Sequence, residues 1–311
     1  MSALAGSGPA SRARLLNLAQ ALTGDARARV VAFHVDDVGM CHGANQAFIE
    51  LSRAGSVTCG SVMVPCPWFR EMATVAADDP SLDLGVHLTL TSEWPQYRWG
   101  PISTMSRASG LVDDQGYFPR NCLELRSRLV THGIEAAEVE FRAQIDRALE
   151  AGIDVTHLDT HMGAAVVPEL VDVYVRLGRE YKLPIVLPRE LDTYTGVLRM
   201  GEMPAGLYER TLAVLDTEGV PVFDRFRMTP GVPSEETDAK YREMIEALPP
   251  GVTFFAIHAN APGDIENIVP PRAHWRTDEY RLFGSGAPMQ WAKDAGVRTI
   301  GMREVRQLVR G

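Results

Sequence analysis

The chain carries carboxylate and imidazole side chains at points where its pattern predicts the ends of buried strands. In chain order these residues are Asp36, Asp37, His87, His157, Asp159, His161 and His258. The carboxyl ends of parallel strands converge on one mouth in an α/β barrel, so residues far apart in sequence can meet there. One carboxylate and two imidazoles suit a divalent metal ion, and three protein ligands leave positions open for water. The pattern therefore predicts a metal-dependent hydrolytic site.

The two adjacent carboxylates end an apolar run of strand length, residues 30–35. Neighbouring side chains on a regular strand point to opposite faces of the sheet. Asp36 and Asp37 can therefore serve one site only if the backbone leaves strand geometry at this point. Gly39 favours a turn there. His34 lies within the same strand and is predicted to belong to the core or to support the site.

His157 and His161 are four residues apart, and the local backbone decides whether both can bind one ion. Extended chain of that length spans roughly 13 Å, which is too far. On a helix or a tight turn the two rings would be neighbours, and both could bind. We favour His161 as the ligand because it lies at the end of its strand, shortly before Gly163. His157 and Asp159 are then expected to support the ligands from behind.

Each of these residues also has a simpler explanation when it is taken singly. Paired aspartates after a strand are often a helix cap and turn, and a lone histidine in a strand is usually a hydrogen-bonded core residue. Four such groups at the ends of four predicted strands favour a shared metal site over coincidence.

Helical and strand patterns alternate along most of the chain. After the first strand, further strands are predicted over residues 57–64, 82–91, 154–159, 184–187, 220–226, 253–258 and 297–301. Such alternation with helices implies a parallel sheet. We therefore predict an α/β fold of the (β/α) barrel type, which is TIM-barrel-like but distorted and has about seven strands.

The 311 residues contain no Pro/Gly/Ser-rich or charge-dense linker, which favours a single large domain. We assign residues 1–25 to an N-terminal extension and helix, with that helix over 11–22, and residues 26–311 to one catalytic barrel domain. Residues 92–121 show little periodicity and are predicted to form a long functional loop.

Aromatic side chains in and near this loop suggest contact with a ligand. Trp94, Tyr97 and Trp99 lie in the loop, and Trp68 follows the second predicted strand. Such rings can stack on the apolar face of a sugar, or they can simply cover the mouth of the barrel. Both readings stay open from the sequence.

The charge balance and the cysteines restrict the partners and the compartment. A net charge of −9 argues against nucleic acid or an anionic membrane as a partner. The four cysteines form no CxxC pair, and neither a membrane span nor a signal peptide is evident. We predict a cytoplasmic protein that binds a small molecule. The sequence leaves a homo-oligomer possible.

Several segments together resemble the YdjC-like carbohydrate deacetylase family, which includes the chitooligosaccharide deacetylases. The matching segments are residues 34–39 (HVDDVG), 55–64 (GSVTCGSVMV), 84–91 (LGVHLTLT), 156–161 (THLDTH), 187–190 (LPRE) and 274–276 (HWR). They span most of the chain in order. The resemblance implies a barrel-like α/β fold, a divalent metal ion and removal of acetyl groups from an N-acetylated sugar or oligosaccharide.

The resemblance also implies a role for each residue of the motifs. Asp37, His87 and His161 look like the metal ligands, and Asp36 looks like the general base that deprotonates the attacking water. His258 looks like the general acid that protonates the leaving amine. Zinc is the favoured ion because the donors are one Asp and two His, while magnesium or another first-row ion stays possible.

The chain departs from the family pattern around the expected pocket. Family members often have Asn at the position of His34, further histidines just after the position of His161, and Pro at the position of Ala259. Here residues 162–165 read Met-Gly-Ala-Ala. The proposed ligands are retained, so these differences concern the choice of sugar more than deacetylation itself.

Other function classes fit the sequence less well. A non-catalytic sugar-binding barrel would not need the acid, base and ligand positions that are all filled here. A metal-dependent hydrolase of another amide or ester stays an alternative. A glycosidase is disfavoured because Asp36 and Asp37 are adjacent, whereas that reaction needs carboxylates on both sides of the scissile bond.

Overall fold

A computed structural model describes residues 17–311 of the chain. In this part of the protein, seven parallel strands form one curled sheet. The strands are β1 Arg29–Val38, β2 Cys59–Val62, β3 Leu84–Leu88, β4 Leu158–Thr160, β5 Arg225–Met228, β6 Gly251–Ile257 and β7 Val297–Thr299. Their order is β4-β3-β2-β1-β6-β5, with β7 paired to β1.

Strand β1 is the centre of the sheet. It pairs with β6 along seven residues from Arg29 to Val35. On its other side it pairs with β7 at its start and with β2 towards its end. This arrangement places the carboxyl end of β1 between those of β2 and β6, so the residues that follow β1 lie in the middle of the mouth.

The two edge strands, β4 and β5, are joined through a short connecting segment. Single parallel bridges link Leu158 to Ile185 and Pro188 to Phe223. The prediction of a distorted (β/α) barrel with about seven strands is thus confirmed. The strand predicted over 184–187 is reduced to these bridges, since it is flanked by Pro184 and Pro188, which have no N–H to donate to a ladder.

Helices cover the outside of the sheet and connect its strands. They are α1 Leu18–Thr23, α2 His42–Arg53, α3 Phe69–Asp78, α4 Cys122–His132, α5 Glu135–Glu150, α6 Val171–Tyr181, α7 Leu207–Glu218, α8 Thr237–Glu246, α9 Ile265–Ile268, α10 Ala273–Gly284, α11 Ala287–Asp294 and α12 Met302–Arg310. The helix predicted over 11–22 is seen as α1, and its residues 11–16 lie outside the described part.

Helix α10 was not predicted from the sequence, and its composition explains why. Its buried positions follow helical spacing, but they include Arg276 and Glu279 beside Leu282 and Phe283. A polar inner face produces no apolar stripe, which is the signal that reveals most surface helices. The same two charged residues contact Asp37 and the backbone of His258 at the carboxyl end of the sheet.

Side chains along β6 alternate between the interior of the barrel and an outer layer, in which the sheet packs against helices. Phe254 faces inwards, where its ring centroid lies 4.5 Å from that of His34. Phe255 faces outwards and stacks on Tyr241 of α8, at 5.7 Å. Phe33 of β1 and Phe283 of α10 pack edge to face in the same outer layer, at 5.5 Å. Helix α10 is therefore anchored to the strand that carries the paired aspartates.

Gly85 in β3 provides the space for the buried ring of His157. A Cβ atom added at Gly85 would lie 2.5 Å from His157 Cε1, and the ring is held by hydrogen bonds to His34 and Thr156. We expect Gly85→Ala to lower the free energy of unfolding by about 1–3 kcal/mol through overpacking. Urea denaturation measures this. Gly196→Ala, which adds a Cβ with no atom within 4 Å, is the control. Equal stability of the two variants would contradict the expectation.

Candidate active site

The structure brings the predicted site residues together at the carboxyl end of the sheet. Asp36 and Asp37 come from the end of β1, His87 from β3, His161 from the turn after β4, and His258 from the residue after β6. The pairing of β1 with β2 shifts register between Val35 and Val38. Asp37 has a left-handed backbone, with φ of 61°. The expected departure from strand geometry thus occurs at Asp37 itself, and it turns both carboxylates into one mouth.

Three of these side chains form a compact, buried set of metal donors. Asp37 Oδ1 lies 3.2 Å from His161 Nδ1 and 3.5 Å from His87 Nε2. Donors bound tetrahedrally at about 2.1 Å from one ion would lie about 3.4 Å apart. The three residues are therefore spaced as one metal ion requires. His157 is not among them, because its ring points away towards His34.

Each imidazole of this set is oriented by a carboxylate on its far nitrogen. His87 Nδ1 lies 2.8 Å from Asp159 Oδ2, and His161 Nε2 lies 3.0 Å from Glu93 Oε2. A carboxylate that accepts the outer N–H leaves the inner nitrogen free to bind a metal, and it makes the ring a stronger ligand. The expected support from Asp159 is present, and Glu93 plays the same part for His161.

The charges of the site also fit a cation. Burial alone would raise the pKa of Asp37. Arg276, whose Nη2 lies 2.8 Å from Asp37 Oδ2, has the opposite effect, as do the two histidines. Together these groups hold the pKa of Asp37 well below its usual value. Neither oxygen of Asp37 finds a well-aligned hydrogen-bond donor among residues 17–311. A buried, ionised carboxylate with unmet acceptor capacity is a suitable ligand for a metal ion.

The two histidines respond to the same carboxylates. Burial disfavours a charged imidazole, yet Asp159 and Asp36 raise the pKa of His87 well above its usual value. Against the same effect of burial, Glu93 and Asp37 raise the pKa of His161 to about 9. Without a metal ion, protons on these rings supply the positive charge that the surrounding carboxylates favour.

Asp36 is held from behind by His34, and its second oxygen faces the mouth. Oδ1 lies 2.7 Å from His34 Nδ1, and His34 Nε2 lies 2.9 Å from His157 Nε2. Oδ2 lies 4.0 Å from His87 Nε2 and 3.8 Å from His258 Nε2. His34 and His157 therefore support the site from the barrel interior, and Asp36 Oδ2 is the oxygen that a bound molecule can reach.

His258 lies near Asp36, with its Nε2 3.8 Å from Asp36 Oδ2. Its Nδ1 lies 2.7 Å from the hydroxyl oxygen of Thr229. Its backbone N–H donates to Glu279 Oε2 at 2.7 Å. Burial lowers the pKa of the imidazole, although the carboxylates of Asp37 and Asp36 oppose this effect.

Comparisons with known proteins identify the family of the chain. Residues 30–294 match the family model described as YdjC-like protein. The chain belongs to the YdjC-like family. A carbohydrate deacetylase of Thermus thermophilus is 34% identical over 260 residues, which cover 84% of this chain and 87% of that protein. Carbohydrate deacetylase 1 of Listeria innocua is 34% identical over 155 residues, which cover 50% of this chain and 59% of that protein.

A solved structure shows the same fold. The crystal structure of a putative cellobiose-phosphate cleavage protein from Enterococcus faecalis superposes with a TM-score of 0.69. The superposition covers 88% of this chain and 98% of that chain, at 21% sequence identity. At that identity the likeness establishes the barrel architecture that this YdjC-like protein shares.

Among the aromatic side chains in and near the long loop of this YdjC-like protein, some cover the site and others are accessible to a ligand. Trp99 is buried, donates its indole N–H to the carbonyl of Thr91 at 2.8 Å, and lies edge-on to His161. It therefore covers the site. Trp68 keeps 38% of its surface exposed and lies against His42. Of the two, Trp68 is the one whose ring a ligand can reach.

Sequence reasoning assigned no role to four residues that contact this site. They are Glu93, Thr229, Arg276 and Glu279. Glu93 lies in the irregular loop and the last two lie on α10, so strand ends gave no signal for them. Arg276 was visible only as part of the HWR segment.

Across residues 17–311 the structure contains no helix that is long and apolar enough to span a bilayer.

Removal of the outer carboxylates is expected to weaken metal binding. Asp159→Asn and Glu93→Gln each remove the negative charge behind a candidate ligand histidine, and we expect about 10–100-fold lower affinity for zinc. Titration of chelator-treated protein with zinc in the presence of a competing indicator measures it. Asp114→Asn, at a fully exposed carboxylate, is the control. Unchanged affinity in both site variants would exclude the supporting role.

Metal binding is also expected to release protons. The metal-free site holds protons on His87 and His161, whose pKa values lie above neutrality, and a metal replaces protons on its ligands. Affinity should therefore rise with pH up to about 9, the pKa of His161. Calorimetry in buffers of different ionisation enthalpy should detect protons entering the buffer. Binding without proton release would show that the rings are already neutral.

Proposed function

We propose that this YdjC-like protein is a metal-dependent carbohydrate N-deacetylase, which hydrolyses the acetamido group of an N-acetylated sugar or oligosaccharide. One observation carries the proposal. The donor set Asp37, His87 and His161 lies beside a carboxylate, Asp36, whose Oδ2 is 4.0 Å from His87 Nε2 and 3.8 Å from the imidazole Nε2 of His258. The relatives named carbohydrate deacetylase support the sugar substrate.

Asp37, His87 and His161 would hold one divalent metal ion. When bound, such an ion polarises the acetyl carbonyl, stabilises negative charge on its oxygen and lowers the pKa of a water molecule. One carboxylate and two imidazoles are typical zinc donors, although magnesium and other first-row ions accept them too. Arg276 keeps Asp37 ionised, so that it is ready to act as a ligand.

Asp36 is suited to the role of general base. Its Oδ1 is occupied by His34, so Oδ2 is the oxygen that accepts a proton from the attacking water. His34 fixes the carboxylate plane, which keeps Oδ2 directed between the metal donors and His258. The base is thus positioned before a substrate arrives.

His258 is suited to the role of general acid. Its Nε2 lies 3.8 Å from Asp36 Oδ2, so an acetamido group that contacts both atoms would have the base and the acid within reach. An amine is a poor leaving group unless its nitrogen is protonated as the C–N bond breaks. The imidazole can provide that proton.

The alternatives have less support from the site. A non-catalytic sugar-binding barrel has no need for a positioned base and acid beside three metal donors. A phosphoesterase would need free cationic groups for phosphate, but Arg276 is engaged by Asp37. Hydrolysis of another amide or of an ester uses the same residues and is decided by experiment. The cytoplasmic location, the lack of nucleic-acid partners and the oligomeric state stay predictions.

Acetate release from a panel of N-acetylated sugars tests the proposal, using chelator-treated protein supplied separately with zinc, magnesium, manganese and cobalt. We expect release that depends on the metal. Asp36→Asn should lower kcat by about 10²–10⁴-fold because the base is lost, while metal is still bound. Asp114→Asn serves as the matched exposed control.

Two results would contradict these assignments. A fully active Asp36→Asn variant would remove Asp36 as the base. Activity that survives in both His87→Ala and His161→Ala would remove the metal site. If the whole panel gives no acetate although metal binds in stoichiometric amount, the substrate is another amide or ester.

A further inference from the structure

His258 is held at its side chain and at its backbone by two residues that do not belong to the donor set or the base. Thr229, which follows β5, places its hydroxyl oxygen 2.7 Å from His258 Nδ1. Glu279 of α10 accepts the backbone N–H of His258 at 2.7 Å and also accepts the hydroxyl of Tyr241. Glu279 and Tyr241 are buried, whereas Thr229 and His258 are only partly buried.

The chemistry of a proton-donating imidazole determines what Thr229 has to do. A neutral ring that gave up its single proton would become an anion, so a histidine that protonates a leaving amine must begin as the doubly protonated cation. If Nε2 delivers the proton, Nδ1 keeps its hydrogen before and after the transfer. That hydrogen needs an acceptor in a buried site. The Thr229 oxygen is the acceptor at the required distance.

The Thr229 hydroxyl then has to direct its own hydrogen elsewhere, because a hydroxyl carries one hydrogen and two lone pairs. The carboxylate of Glu279 is suited to receive it. Burial raises the pKa of Glu279 to about 7, while polar contacts from Thr229, Tyr241 and the His258 amide act in the opposite direction. The other charged groups that influence His258 are Asp36, Asp37, His87 and Arg276.

We propose that Thr229 and Glu279 are positioning residues that hold His258 with a hydrogen on Nδ1 and so keep Nε2 as the proton donor to the leaving amine. The inference rests on the proposed deacetylation, because it assigns work to the acid of that reaction. Thr229 acts on the imidazole directly. Glu279 acts through the Thr229 hydroxyl and through the backbone of His258.

The proton balance of the step closes within the site. As the C–N bond of the acetamido group breaks, its electron pair goes to the nitrogen, which takes the Nε2 proton of His258. His258 becomes a neutral ring that still donates its Nδ1–H to Thr229. Asp36, which has taken one proton from the attacking water, lies 3.8 Å from the vacated Nε2. Return of this proton to His258 regenerates both groups for the next cycle.

Thr229→Val and Thr229→Ser form a matched pair that tests the inference. Valine has nearly the shape of threonine but cannot accept the Nδ1–H, whereas serine keeps the hydroxyl. With the metal-loaded enzyme and N,N′-diacetylchitobiose, we expect Thr229→Val to lower kcat by about 10–100-fold with little change in KM. Thr229→Ser should restore most of kcat. Glu279→Gln keeps an acceptor for the His258 amide but loses the charge, and it should fall between the two.

An ester substrate distinguishes a loss of support for the general acid, His258, from general damage to the site. Hydrolysis of 4-nitrophenyl acetate expels a phenolate that needs no proton, so Thr229→Val should lose far less activity on this ester than on the amide. Equal losses on both substrates, or equal kcat for the valine and serine variants, would overturn the inference. If the wild-type enzyme binds metal but hydrolyses no amide, the proposed deacetylation fails instead.

A measurement that does not depend on catalysis distinguishes failure of this inference from failure of the proposed deacetylation. Nitrogen-15 NMR of histidine-labelled protein reports which ring nitrogen carries hydrogen, and His258→Asn identifies the resonance. We expect Nδ1 of His258 to be protonated in the wild-type protein and in Thr229→Ser, and Nε2 alone to be protonated in Thr229→Val. A wild-type His258 with hydrogen only on Nε2 would contradict the inference, whatever the activity.

Discussion

The active site depends on one break in the alternation of β1. Asp36 and Asp37 are consecutive, and regular strand geometry would send one of them into the outer layer. The left-handed backbone of Asp37 turns it into the mouth, at a cost of about 1–2 kcal/mol for a residue other than glycine. The following turn maintains this conformation, because Gly39 donates its N–H to Asn45 Oδ1 and Tyr97 donates its hydroxyl to the carbonyl of Met40.

The break also sets the charge balance of the mouth. It turns Asp37 into the mouth together with Asp36, and Asp159 and Glu93 contact the far nitrogens of His87 and His161. Arg276 is the permanently charged cation that contacts Asp37. Several buried carboxylates facing one guanidinium favour further positive charge, either as protons on imidazole or as a metal ion. The same arrangement thus explains the raised pKa values of the histidines and the fit to a metal.

The sequence predicted the parts of the site that lie at strand ends, because there the local pattern and the final position coincide. His87 and His161 could be placed from the ends of their strands, and His161 was favoured over His157 because it lies at the end of its strand, shortly before Gly163. Arg276 and Glu279 could not be found in this way. They reach the site only because α10 packs across the end of the barrel, and that contact depends on tertiary structure. The contact of Glu93 with the site was not predicted because Glu93 lies in an irregular loop, which has no hydrophobic periodicity from which its position could be inferred.

Helix α10 shows why those residues are polar although they are buried. On its outer side Phe283 packs against Phe33, so apolar contact fixes the helix to β1. On its inner side Arg276 pairs with Asp37 and Glu279 accepts the amide of His258. One helix therefore contacts both the metal donors and the residue proposed as the acid. Because apolar packing alone would anchor the helix equally well, its charged inner residues are better explained by the site than by stability. The ion pair of Arg276 with Asp37 and the hydrogen bond of Glu279 with the His258 amide fix Asp37 and His258 relative to one another.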